Sequence, residues 1–173
     1  MRLRLIPLIA AVICFAATAS AATTSAHADL VNAQGATIGH AKFSSNAKGV
    51  KVSVSVSQLT PGEHGIQVHT VGKCEGPAFT TAGGHFNPTN AHHGIHNAAE
   101  PRPHLGDLPN LTVDSNGNGK LTYFIQDATL AEGPNSLFHE GGTALVIHAK
   151  PDDLLTDPTG NSGDRIACGV ISQ

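Results

Sequence analysis

The sequence predicts an all-β domain, an antiparallel sandwich or barrel. Three observations point there. No stretch keeps apolar residues on the helical period for a dozen residues. Several short runs instead alternate apolar and polar side chains, the two-residue period of a strand with one buried face. The chain also holds 19 Gly and 10 Pro against an aromatic content of 4%, a composition suited to many short strands closed by tight turns. Its 173 residues suggest one domain, since domains usually run to roughly 100–200 residues.

The N-terminus stands apart from that domain. Met1-Arg2-Leu3-Arg4 is basic, and residues 5–17 are apolar but too few to span a bilayer. Small residues follow. This is the pattern of a secretory signal peptide over residues 1–28, cleaved after Ala21 (Ala19-Ser20-Ala21) or Ala28 (Ala26-His27-Ala28). A retained membrane anchor, or a lipid on Cys14, is the alternative. Residues 29–173 would form the mature domain, exported to a periplasm or the exterior. Removing Arg2 and Arg4 leaves eight of the ten Lys+Arg against 13 Asp+Glu. The resulting net charge of about −5 argues against a general nucleic-acid or anionic-membrane surface.

Strand signals then follow along the chain. Residues 36–43 are the first. Next, Val50, Val52, Val54 and Val56 alternate with Lys51, Ser53, Ser55 and Ser57, the expected pattern of a half-buried strand. Further runs cover residues 65–69, 110–113, 120–124, 144–148 and 165–171. Asp114-Ser115-Asn116-Gly117-Asn118-Gly119 joins two of them; these residues tolerate positive φ and close hairpins. Residues 70–108 and 150–164 carry no strand signal and are too long for plain turns. Such loops in a compact domain are usually functional. No repeat or linker divides the domain.

Most of the 11 histidines flank those loops. His85, His93, His104 and Asp107 share the first loop and offer three imidazoles and a carboxylate, a full tetrahedral set for Zn²⁺. His69 and His148 end apolar strands, whose backbone ladders would hold them rigidly. A lone histidine is more often an ordinary surface or core residue; six ligand-type residues in one pattern make a metal site the better reading. Adjacent His92 leaves the zinc choice open by one position, with spacing favouring His93. His40, His96 and His139 are expected to face solvent or make ordinary hydrogen bonds. His64 is expected on the opposite side of the strand from residues 67 and 69, in a structural role. With the leader removed, Cys74 and Cys168 are the remaining cysteines. An even pair in an exported chain reads as a disulfide, with a thiolate metal site as the rival.

The blocks His64-Gly65-Ile66-Gln67-Val68-His69, Gly83-Gly84-His85-Phe86-Asn87-Pro88, His104-Leu105-Gly106-Asp107, Leu145-Val146-Ile147-His148 and Gly163-Asp164-Arg165-Ile166-Ala167-Cys168-Gly169 resemble the copper/zinc superoxide dismutases from about Leu30 onward. The resemblance implies a Greek-key β-sandwich or barrel of about eight antiparallel strands with two long functional loops. It implies zinc held by His85, His93, His104 and Asp107, and copper held by His69, His85 and His148, with His85 bridging the metals. Asp152 matches a carboxylate that orients ligands of both metals. Arg165 matches the arginine that attracts superoxide, so Arg165 and His85 are the catalytic residues it implies. Cys74 and Cys168 match the family disulfide. Arg165 is further expected to be exposed, so that its loss leaves stability nearly unchanged.

One position departs from the family. Where it has His-x-His, this chain reads Gln67-Val68-His69, leaving the copper set with three imidazoles. An amide oxygen is a poor match for Cu(I), although it can serve copper as a weak axial ligand. Two functions therefore follow: a dismutase converting superoxide to dioxygen and hydrogen peroxide, or a non-enzymatic zinc-binding or copper-buffering relative. A homodimer is left open, because sheet edges that dimerise look like those that do not.

Overall fold

The computed structural model describes residues 25–100 and 103–173; most of the expected leader, with the site after Ala21, lies outside the described residues. Nine strands appear: β1 (Ser25–Asn32), β2 (Thr37–Asn46), β3 (Gly49–Val56), β4 (Gly62–His64), β5 (Ile66–His69), β6 (Leu111–Val113), β7 (Gly119–Gln126), β8 (Ala144–His148) and β9 (Arg165–Val170). They form one antiparallel sheet in the order β4-β6-β7-β3-β2-β1-β9-β8-β5. The two end strands, β4 and β5, are consecutive in the chain and separated by Gly65 alone. The sheet therefore curls until one residue joins its edges, giving a nearly closed barrel. Counted as one bent strand, β4 and β5 reduce nine strands to the eight expected.

Gly65 makes that bend feasible. A Cβ there would lie 2.8 Å from Cβ of Ser162 and 3.2 Å from Nε2 of Gln67. Its N–H donates to Lys150 O, and its carbonyl accepts from the N–H of His148, both at 2.8 Å. The bend is thus tied to the start of the second long loop.

The barrel interior follows the alternation read from the sequence. Val50, Val52, Val54 and Val56 are all buried, facing Leu30, Phe43, Ile66, Val68, Leu145 and Ile147 in one cluster. Each such side chain contributes about 1.5–3 kcal/mol on burial. β5 and β8 differ, being buried at every position. Ile66, Val68, Leu145 and Ile147 point into the barrel. Their neighbours face outward, where Ala144 and Val146 pack with Phe79, Ala82 and Cys168 under the loops. Polar Gln67, His69 and His148 thus lie between the barrel wall and its loop cover.

Both loops expected from the sequence are present, between β5 and β6 and between β8 and β9. A third long connection, residues 127–143, joins β7 to β8; it supplies its own core residues, Leu130 and Leu137. β1 had no counterpart among the predicted strands. Its buried Ala26, Ala28 and Leu30 alternate with exposed Ser25, His27 and Asp29. Alanine is a weak apolar signal, and the same small residues resemble a cleavage box.

Cys74 is joined to Cys168, with Cα atoms 5.6 Å apart and a sequence separation of 94. The bond ties the first loop to β9. Closing a loop of that length stabilises by about 4–5 kcal/mol on the chain-entropy model.

Candidate metal centre

The first loop reaches the barrel wall through an unusually close backbone approach. The N–H of Val68 donates to Gly106 O, that of Gly106 to Phe86 O, and that of Phe86 to Val68 O, at 2.8–2.9 Å. A Cβ on residue 106 would meet Val68 O at 2.2 Å, so only glycine fits. This stitch brings His85 and Asp107 against β5, where His69 bridges to His85 and Gln67 to Asp107.

Around Asp107 the predicted zinc residues converge. Oδ1 of Asp107 lies 3.0 Å from Nδ1 of His85, 3.0 Å from Nδ1 of His93 and 3.4 Å from Nδ1 of His104. A tetrahedral zinc with bonds near 2.0–2.1 Å separates its ligand atoms by about 3.3 Å, which fits this cluster. The other oxygen, Oδ2, accepts from the backbone N–H groups of Gly94 at 2.8 Å and His104 at 3.2 Å. His93, not His92, is the residue brought in. Its ring is fully buried, whereas His92 is exposed and pairs with Asp157 at 2.7 Å.

Burial would raise the Asp107 carboxyl pKa. The rings of His104, His85 and His93, with the Gly94 N–H, instead hold it far below the usual carboxylate range. Burial likewise opposes charge on His93, yet Asp107 and Asp152 raise its pKa to about 9.

The second set lies on the other side of His85. His69, His85 and His148 bring one nitrogen each within 4.8 Å of one another. His69 faces the carbonyl of Gly83 through Nδ1 at 2.9 Å, and His148 that of Gly163 through Nδ1 at 3.0 Å. A carbonyl only accepts, so each Nδ1 carries the proton and each Nε2 keeps a lone pair. These two Nε2 atoms face each other at 3.4 Å. Burial, then the neighbouring His85, lowers the pKa of His69 well below its ordinary value. Burial also lowers that of His148, to about 4. Both rings are therefore neutral near pH 7. Two neutral nitrogens aimed at each other form a cation site, because each lone pair otherwise lacks a donor.

Four buried side-chain polar atoms lack a well-formed hydrogen bond among the described residues: Gln67 Oε1, His85 Nε2, His139 Nε2 and His104 Nδ1, the last lying 3.4 Å from Asp107 Oδ1. Two of the four, His85 Nε2 and His104 Nδ1, belong to these sets. A metal at each site would engage them, so the residues fit the two ions the resemblance implies.

Asp152 links the sets. Its Oδ1 faces His93 Nε2 at 2.9 Å, and its Oδ2 accepts from Gln67 Nε2 at 2.6 Å. The residues that hold Asp152 and His93 carry no signal in the sequence. Asn110 clamps the Asp152 backbone, donating to Asp152 O and accepting from Asp152 N, both at 2.8 Å. Asp157 accepts from the His93 N–H. Neither shows a local signal, as its partner lies 42 or 64 residues away. His64 has the structural role expected of it. Its Nδ1 donates to the carbonyl of His148 at 2.7 Å, bracing the last residue of β8. Among the remaining histidines, His139 stacks on Phe86 and His40 pairs with Asp29.

Arg165 corrects one expectation. It is half-buried, and its guanidinium donates to Phe79 O at 2.7 Å and Gly83 O at 2.6 Å. It thus shares the Gly83 carbonyl with His69 and helps hold the first loop. Removing it should therefore cost stability, because two carbonyls would lose a charged donor. Arg165 also lines a surface hollow of about 390 Å³ with Pro77, Ala78, Thr80, Gly163 and Asp164.

Comparison with known proteins agrees with this geometry. Residues 37–171 match the family model described as copper/zinc superoxide dismutase. The chain is 47% identical over 147 residues to "Superoxide dismutase [Cu-Zn] 1" of Aquifex aeolicus, covering 84% of this chain and 86% of that protein. It is 38% identical over 148 residues to the "Superoxide dismutase-like protein YojM" of Bacillus subtilis, covering 84% and 74%. The crystal structure of a double mutant of a SOD-like protein from Bacillus subtilis superposes with a TM-score of 0.79 at 39% identity, covering 85% of this chain and 97% of that one. The chain belongs to the copper/zinc superoxide dismutase family.

Proposed function

We propose that the protein is an exported superoxide dismutase, with zinc on His85, His93, His104 and Asp107 and copper on His69, His85 and His148. The observation that carries this reading is the pair of ligand sets meeting at His85, with Arg165 held at the edge of one of them. Bound copper would supply the electron transfer, so that two superoxide anions and two protons give dioxygen and hydrogen peroxide. The chain does the rest. Arg165 has five N–H donors and engages two carbonyls, leaving the others for an anion in the hollow it lines. The domain is net negative and distant charges are screened beyond about 8 Å, so local attraction by Arg165 matters more than the overall field. His85 offers Nε2, which no donor among the described residues engages, as the atom that accepts and returns a proton. Asp107 and Asp152 fix the orientation of the rings around it.

Gln67 favours a second reading, a zinc-binding or copper-buffering protein that does not turn over superoxide. Metal analysis with a dismutase assay on copper- and zinc-loaded protein separates the two. Activity that falls at least tenfold in Arg165→Glu supports the enzyme; an inactive, fully copper-loaded wild type supports the other reading.

The burial pattern of β1 favours cleavage after Ala21 over cleavage after Ala28. Ala26 and Ala28 are buried in β1, and cutting after Ala28 would remove half of a core strand. Mass spectrometry of the secreted protein should find its first residue at Ala22; a start at Asp29 would overturn this.

A further inference from the structure

Gln67 is fully buried in β5 and lies two residues before His69, on the same face of the strand. Its amide is held in one orientation. Asp152 Oδ2 sits 2.6 Å from one arm of the amide. A carboxylate accepts and does not donate, so that arm is the NH₂ group and the other arm is the oxygen. That oxygen, Oε1, is enclosed and has no donor among the described residues. A buried carbonyl oxygen left this way is destabilising, because it gives up its hydrogen bonds to water and gains none in return. His85 Nε2 is unpartnered in the same way, and the Nε2 atoms of His69 and His148 face each other with free lone pairs.

We propose that Gln67 is a metal ligand through Oε1, giving the second set a fourth donor that is an amide oxygen instead of an imidazole. This rests on the reading of that set as the copper site. Asp152 makes the amide a better ligand than glutamine ordinarily is. An N–H bonded to a carboxylate shifts electron density across the planar amide onto its oxygen, the cooperative polarisation of a hydrogen-bond chain. The same carboxylate carries His93 through its other oxygen, so the zinc set helps hold Gln67 in place. Relative to a fourth imidazole, the oxygen weakens copper binding, and Cu(I) most, because Cu(I) favours softer donors. Copper is retained, with Cu(II) favoured.

The test adds Cu(II) to the zinc-loaded protein, with ¹⁵N in its glutamine side chains, and records pulsed electron paramagnetic resonance. A coordinated amide should couple the remote Gln67 Nε2 to the copper electron, a signal absent in Gln67→Leu. Competition with a chelator should show Cu(II) held about tenfold or more weakly by Gln67→Leu. Gln67→His should bind more tightly and add one directly bonded nitrogen, with zinc retained throughout. A wild-type spectrum without glutamine coupling overturns the assignment, since water would then be the partner of Oε1. So does Cu(II) binding unchanged in Gln67→Leu, or no Cu(II) binding by the wild type. The dismutase reading fails separately: glutamine coupling in a copper-loaded but inactive protein sinks that reading and leaves the ligand. Activity without coupling does the reverse.

Discussion

Zinc uptake should release a proton from His93, so its affinity should climb with pH. Both ring nitrogens of His93 face carboxylate oxygens, Nδ1 at 3.0 Å from Asp107 and Nε2 at 2.9 Å from Asp152. Neither oxygen donates, so without zinc both nitrogens are N–H and the ring is a cation. Burial opposes that charge, but the two carboxylates keep the pKa at about 9. Zinc requires the Nδ1 lone pair and must expel its proton, while Nε2–H stays on Asp152. At pH 8 a group of that pKa is about nine-tenths protonated, so close to one proton should leave per zinc. Affinity should rise about tenfold per pH unit between 7 and 9, then level off.

Stability of the metal-free protein should run the other way. The folded pKa of about 9 exceeds the ordinary value of 6.5. The contribution of His93 is therefore complete below pH 6.5 and lost as pH rises through 9. At about 1.4 kcal/mol per pH unit that is about 3 kcal/mol. Calorimetric titration of zinc into metal-free protein, in two buffers of different ionisation enthalpy, counts the protons. Asp152→Asn, with one carboxylate fewer on the ring, should release fewer at pH 8. Zinc binding without proton release there, or affinity unaffected by pH, would refute the reasoning.

Replacing Cys74 and Cys168 by serine should lower stability by about 4 kcal/mol, measured by denaturant unfolding; equal midpoints would show that the loop closes without the bond. Arg165→Glu should lose activity and also about 1–3 kcal/mol, since two carbonyls lose their donor. An unchanged melting temperature would mean the loop does not depend on it. Gly106→Ala should cut zinc affinity at least tenfold, because its Cβ would meet Val68 O at 2.2 Å and push Asp107 off β5. Full zinc retention would show that the stitch is not needed.

Much of the fold and the ligand set is legible in sequence because both are local. Alternating valines mark β3, and imidazole or carboxylate side chains announce metal chemistry wherever they stand. β1 was not legible: its core face is mostly alanine, and its strand character comes from pairing with β2 and β9. Nor was the mooring of Arg165. Its two acceptors are backbone carbonyls 82 and 86 residues away, and a carbonyl carries no sequence signature.

Residue types alone say which atoms can bind metal, that Cys74 and Cys168 are candidates to pair, and that Gln67 stands where the family has histidine. It takes the folded barrel to show that Asp152 grips the Gln67 amide by its nitrogen and leaves the oxygen without a donor among the described residues. The fold also decides that His93, and not His92, turns inward, and that Asn110 holds Asp152. Residue type fixes what a group can donate or accept. Its partner is fixed by hydrogen bonds between segments far apart in the chain, formed where the barrel brings them together.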